Sequence, residues 1–276
     1  MPTQLPHVSW LKKKVKRLAS QSGQEITVYE LKFDGADTST LTAWAQHFRQ
    51  HYCLDSKIDK MRKGTNLSRA EYLTQLVFPD ATHDFGPATR SGDFAEILVS
   101  DLLEGLLNYW VPRTRYISKM VRNESPKGTD VIGFKIVSDD LDAPSKNDIL
   151  ISFESKAQFS GTSAKPRLQN AVIDSKKDKY RIAESLNAIK QRLDDQGKED
   201  EVLKVERFQD PLGRPYKLKT GAAALFCKTV FDPDDVELTT DASDHDNAAN
   251  LSLVVIHGAH MMKLVHLLYE RAASEA

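Results

Sequence analysis

Residues 148–159 read DILISFESKAQF. Side chains alternate across a β-strand, so this segment, taken as a strand, sets Leu150, Ser152, Glu154, Lys156 and Gln158 on one face. Ile151, Phe153 and Ser155 take the other. Glu154 and Lys156 then point the same way from the middle of an otherwise apolar strand, where charges are rarely buried without a partner. Two accounts fit the pair. One is a structural ion pair; the other is a site in which Glu154 holds a divalent cation while Lys156 orients or deprotonates water.

Upstream, TDVIGFKIV at 129–137 is a second strand. Asp130 stands at its mouth after Lys127-Gly128-Thr129, on the side of Ile132, Phe134 and Ile136, although a turn-forming Asp would sit there equally well. The strongest helix is GDFAEILVSDLLEGLLNYW at 92–110, with Asp93 as its N-cap. In it Glu96 shares a side with Val99, Leu103, Leu106 and Trp110. A carboxylate on an apolar helix side is costly unless it is paired or binds a cation. The simpler account is a first-turn acid favoured by the helix dipole and capping the Asp93 amide. Carboxylate oxygens suit Mg²⁺, which polarises phosphate and lowers the pKa of attacking water, and a nearby lysine adds a point charge. Asp130 and Glu154 on neighbouring strands, with Glu96 from a packed helix, would supply such ligands.

The remaining pattern is mixed α/β. A strand is predicted at 26–33, helices at 39–53 and from Ser68, which forms a capping box with Glu71, to Pro79. Residues 111–121 read as extended and 138–147 as a polar loop. A helix covers 166–193, QGKEDE at 196–201 breaks it, and strands at 223–231 and 250–260 precede a closing helix at 261–273. Near the start, Trp10, Leu11, Val15 and Leu18 form a partial stripe that makes Lys12–Lys14, Lys16 and Arg17 a solvated helix face. Residues 1–90 form an N-terminal accessory region and 91–276 the principal domain.

The chain has 276 residues and a formal net charge of -1, which excludes a uniformly basic nucleic-acid coating protein. Positive charge is instead local. Arg113, Arg115, Lys119, Arg122, Lys127 and Lys135 form one cluster; Lys165, Arg167, Lys176, Lys177, Lys179, Arg181 and Lys190 form another, and a share of them would hold phosphate without reading bases. Residues 232–246 carry seven acids and no Lys or Arg, a solvated acidic loop. Cys53 and Cys227 cannot form a disulfide scaffold and fit a reducing cytoplasm. His257 and His260 lack a third ligand and take core or helix-start roles. No stretch is long and apolar enough to span a membrane, and the first twenty residues lack the apolar run of a signal peptide.

Glu96 in a helix, then Gly128-Thr129-Asp130 and Glu154-Ser155-Lys156 on successive strands, resemble the PD-(D/E)xK nuclease pattern, with Thr129 in the position of its proline. GDFAEILVSDLLE, KGTDVIGFK and LISFESKAQ together are similar to the HamA family, effector subunits of Hachiman anti-phage defence, from about Gly92 to the C-terminus. The resemblance implies an α/β restriction-endonuclease-like core behind the accessory region. It implies that Glu96, Asp130 and Glu154 bind Mg²⁺, with Mn²⁺ as a substitute, and that Lys156 contacts the scissile phosphate or activates water. It further implies broad DNA cleavage in the bacterial cytoplasm, restrained by a HamB-type helicase. Two other functions fit the same residues: a catalytically inactive interaction subunit of a helicase complex, and a sequence-specific restriction endonuclease.

Overall fold

In the computed structural model, which describes residues 5–117, 119–138, 140 and 143–276, a 3-10 turn (Pro6–Trp10) leads into β1 (Leu11–Lys13), β2 (Leu18–Ala19) and β3 (Glu25–Leu31). Helices α1 (Thr38–Gln50), α2 (Asp55–Arg62), α3 (Arg69–Tyr72, extended by a π turn over Leu73–Val77) and α4 (Gly86–Gly105) follow. Next come β4 (Val131–Lys135), β5 (Ile149–Gln158), α5 (Arg167–Ser175), α6 (Asp178–Asp194), α7 (Glu199–Glu206) and β6 (Lys217–Cys227). The chain closes with α8 (Pro233–Thr239), β7 (Leu251–Gly258) and α9 (Met261–Ser274). Residues 139, 141 and 142 of the expected polar loop, and 118 of the expected extended segment, lie outside the described residues.

The strands form one seven-stranded sheet in the order β1-β3-β7-β6-β5-β4, with β2 also on β3. β3, β7, β6 and β5 run parallel; β4 is antiparallel to β5, and β1 and β2 are antiparallel to β3. The boundary expected near residue 90 therefore does not divide the sheet, because β3 pairs with β7 from Ile26↔Leu253 to Leu31↔Gly258.

The alternation read from β5 is present in space. Ile151 and Phe153 pack in the cluster that contains Leu102 and Leu103 of α4, whereas Leu150 packs with Leu186 and Ile189 of α6. Helices thus cover both faces, as parallel strands require. The fit is tight at Gly221 of β6: a Cβ there would stand 2.2–2.4 Å from the Phe153 ring carbons.

Several local expectations change. The stripe through Trp10, Leu11, Val15 and Leu18 is not a helix: Leu11 and Leu18 enter short strands, and Val15 is exposed. Pro6 opens a single 3-10 turn, after which Leu11 pairs with Leu31. Asp93 is not an N-cap, since α4 begins seven residues earlier at Gly86 and carries Asp93 buried in its interior. Leu106 and Trp110 lie beyond the end of α4; Trp110 instead exchanges backbone hydrogen bonds with Phe134. The long helix at 166–193 is two helices, α5 and α6, separated at Lys176-Lys177; the breaker expected at 196–201 does end α6, the chain turning through Gly197 (φ +68°) before its last three residues begin α7. The acidic stretch contains α8, capped by Asp232 accepting from the amides of Asp234 and Asp235. The capping box of Ser68 and Glu71 is formed as read.

Candidate active-site cleft

Glu96, Asp130, Glu154 and Lys156 line a single cleft of about 790 Å³. Each arrives by a different local rule. Gly128, with φ +102°, turns the chain just before Thr129 and Asp130, a conformation that a side chain would strain. The register Val131↔Phe153 between β4 and β5, carried one residue further, sets Asp130 opposite Glu154. Asp130 Oδ2 accepts from the Ser155 amide at 3.1 Å, which ties the mouth of β4 to β5. Glu96 reaches the same cleft from α4.

A residue without a sequence signature organises these acids. Arg115 donates through Nε to Glu96 Oε2 (2.6 Å) and through Nη2 to Asp130 Oδ1 (3.0 Å). Its guanidinium also binds the Thr129 and Pro126 carbonyls, so it spans both sides of the cleft floor. Tyr116 Oη donates to Glu96 Oε2 at 2.5 Å. Glu96 is therefore paired rather than capping Asp93, which answers the cost of burying it. Asp93 receives Tyr52 Oη and Lys119 Nζ, each at 2.7 Å. No feature of the sequence around Arg115 distinguishes it from its basic neighbours, because its two acids lie on separate elements.

Lys156 Nζ donates to Glu154 Oε1 (2.7 Å) and to Asp174 Oδ2 of α5 (2.9 Å). Glu154 Oε2 is buried and has no hydrogen-bond partner among the described residues. Burial pushes the Glu154 carboxyl up to about 7, with Asp130 adding to the effect. Burial likewise raises Glu96, against the pull of Arg115. For Lys156, burial opposes the charge, but the hydrogen bonds to Glu154 and Asp174 outweigh it and hold the ammonium above its ordinary range. Asp178, which accepts from Thr129 Oγ1 at 3.1 Å, is pushed up to about 6, chiefly by burial.

Most of the first basic cluster is engaged internally. Arg113 pairs with Glu104, Arg115 with Glu96 and Asp130, Lys119 with Asp93, and Arg122 with Asp80. In the second, Lys177 pairs with Asp174, Lys179 with Asp246 and Lys190 with Glu206. The cations left to face the cleft are Lys127, Lys165, Arg167 and Arg181, none of them in an ion pair among the described residues. Gln158 braces this rim: its amide donates to the Ser163 carbonyl (2.8 Å) and accepts from the Lys165 amide (2.9 Å).

The oxygens of Asp130 and Glu154, and Glu96 Oε1, which no described residue hydrogen-bonds, are hard donors of the kind Mg²⁺ takes. The unpartnered Glu154 Oε2 fits that ion, since a buried carboxylate oxygen with nothing to bind is costly. A second group was not read from the sequence. His7, His47 and Asp101 bring ligand atoms within 4.8 Å of one another, a set able to hold a divalent metal. The one local sign is the four-residue spacing of His47 and His51, which puts both on one side of α1.

Among the described residues, no helix is long and apolar enough to cross a membrane. No curated protein and no solved structure matches the chain. The HamA family model matches residues 6–272, nearly the whole chain and more than the segment from Gly92 that carries the resemblance. With that span, and with a mixed α/β sheet consistent with a PD-(D/E)xK-like core plus extra helices, the chain belongs to the HamA family, the effectors of Hachiman anti-phage defence.

Proposed function

We propose that this chain is a metal-dependent endonuclease that hydrolyses DNA phosphodiester bonds with little sequence preference. The observation that carries the reading is Glu154 Oε2, buried and unpartnered, opposite Asp130 and beside a lysine that keeps its proton. Asp130 and Glu154 would hold Mg²⁺, or Mn²⁺ in its place, with Glu96 contributing through Oε1. The bound ion would supply positive charge to the phosphate and an acidified water. Lys156 offers N–H donors to a non-bridging phosphate oxygen or to the attacking water, and its pairing with Glu154 and Asp174 argues against a role as general base. Arg115 fixes the spacing of Glu96 and Asp130. Lys127, Lys165, Arg167 and Arg181 would meet the phosphates on either side of the scissile bond, and contacts of that type carry no base information.

The protein would act in the cytoplasm, held in check by a HamB-type helicase until foreign or damaged DNA is sensed. The family assignment supports this part of the reading. The test is cleavage of linear and circular DNA with Mg²⁺, alone and with the helicase, comparing wild type with Glu154→Ala and Lys156→Ala. Both variants should lose at least about a hundredfold in rate while keeping the wild-type circular dichroism spectrum. Undiminished cleavage by either folded variant would remove the residue from the mechanism.

A further inference from the structure

Behind the cleft, three segments far apart in sequence meet at one carboxylate. Asp101 of α4 receives His7 Nε2 of the N-terminal turn on Oδ2 at 2.9 Å and His47 Nε2 of α1 on Oδ1 at 2.6 Å. His51 Nε2 approaches His47 Nε2 to 3.4 Å. His7 and Asp101 are each 0% exposed, and His51 is 4% exposed. The His7 ring is stacked on Trp44 at 4.4 Å between centroids, which sets its orientation before any ligand arrives.

Hydrogen bonding accounts for this group incompletely. His47 Nε2 faces both an Asp101 oxygen and a second imidazole nitrogen, and one N–H cannot point along both directions. A tetrahedral ion with bonds of ~2.0–2.2 Å sets its ligand atoms ~3.3–3.5 Å apart, so the contacts at 2.6 and 2.9 Å would open by less than an ångström and the wider separations, within 4.8 Å, would close around the ion. Its chemistry also differs from that of the cleft. The cleft offers carboxylate oxygens; this group offers imidazole nitrogens and a single carboxylate, a set that suits zinc better than magnesium.

We infer that His7, His47 and Asp101 form a structural zinc site, with His51, 3.4 Å from His47 but outside that set, swinging in as the fourth ligand. The site is almost closed to solvent, His47 alone of its three ligands being partly exposed, as suits a structural zinc site. Its effect is to clamp the turn at Pro6–Trp10 onto α1 and α4. Asp101 lies five residues beyond Glu96 on α4, so the same clamp steadies the helix that delivers Glu96 to the cleft.

The test uses untagged full-length protein. Stripped of metal and dialysed against ZnCl₂, wild type should retain about one zinc per chain by elemental analysis. Cobalt(II) in its place should give the intense visible absorption of a tetrahedral ion. Zinc should raise the Tm of wild type but not of His47→Gln. Asp101→Asn and His47→Gln should bind zinc at least about tenfold more weakly, while Glu154→Gln binds as wild type does. Wild type that takes up no zinc and gives no tetrahedral cobalt spectrum overturns the inference, whether or not the variants fold. Loss of zinc in Glu154→Gln overturns it too, because the ion would then belong to the cleft. Failure of DNA cleavage with zinc binding intact would count against the nuclease reading alone.

Discussion

At Glu154 the two carboxylate oxygens have different surroundings: Oε1 accepts from Lys156, and Oε2 is buried without a partner among the described residues. Burial holds the proton on this group up to about pH 7, so in the nuclease reading a metal must compete with it. Apparent Mg²⁺ affinity, followed by calorimetry, should therefore rise about tenfold per pH unit below 7 and level off above it, with proton release on binding. In Glu154→Gln this pH dependence should flatten. Arg115 is the other residue on which the site turns. Replacing it with Ala leaves the buried Glu96 and the partly buried Asp130 without their cation, and should destabilise the fold by about 3–5 kcal/mol in urea unfolding. Glu154 and Lys156 were legible because two charges on one face of an apolar strand stand out within five residues. Arg115 was not, since the partners that distinguish it are 19 and 15 positions away on other elements.

Among the elements, β5 was well read, whereas α4 was read as a helix with the wrong start. The boundaries of β5 follow from an alternation that needs no partner to be seen. The start of α4 depends on its surroundings: Arg90 donates to the Pro79 carbonyl and lies over the Tyr269 ring, and Asp93 is bound by Tyr52 and Lys119. Those contacts carry the helix through Ser91-Gly92, where the sequence suggests a start. The same holds for α5 and α6, which the helical pattern joins and the chain separates at Lys176-Lys177. Close packing between β5 and β6 makes a sharp prediction. Gly221→Ala would drive a methyl into the buried Phe153 ring, beneath the strand that bears Glu154 and Lys156. The expected loss is about 1–3 kcal/mol, visible as a lower urea midpoint, with cleavage falling alongside it if β5 shifts.

For the whole molecule, the decisive feature is that residues 11–31 complete the sheet that holds the cleft. Deleting residues 1–36 would strip β7 of one of its two parallel neighbours and leave an apolar edge, a known route to aggregation. Such a fragment should be recovered as insoluble protein or as a species with lost near-ultraviolet circular dichroism; a monomeric, folded 37–276 fragment would show that β3 is dispensable. Charge is likewise settled by the assembled fold. A net charge of -1 conceals ion pairs that consume most of the first basic cluster and leave Lys127, Lys165, Arg167 and Arg181 along the cleft. By itself the sequence determined the α/β texture and the two faces of β5, and offered Glu96, Asp130, Glu154 and Lys156 as candidates, because periodicity and spacing are local properties of the chain. Only the tertiary structure decided the order of the strands, the Arg115 bridge, the Asp174 partner of Lys156 and the meeting of His7, His47 and Asp101. Each of these depends on contacts between groups separated by up to hundreds of residues, and their geometry is set by how the elements pack.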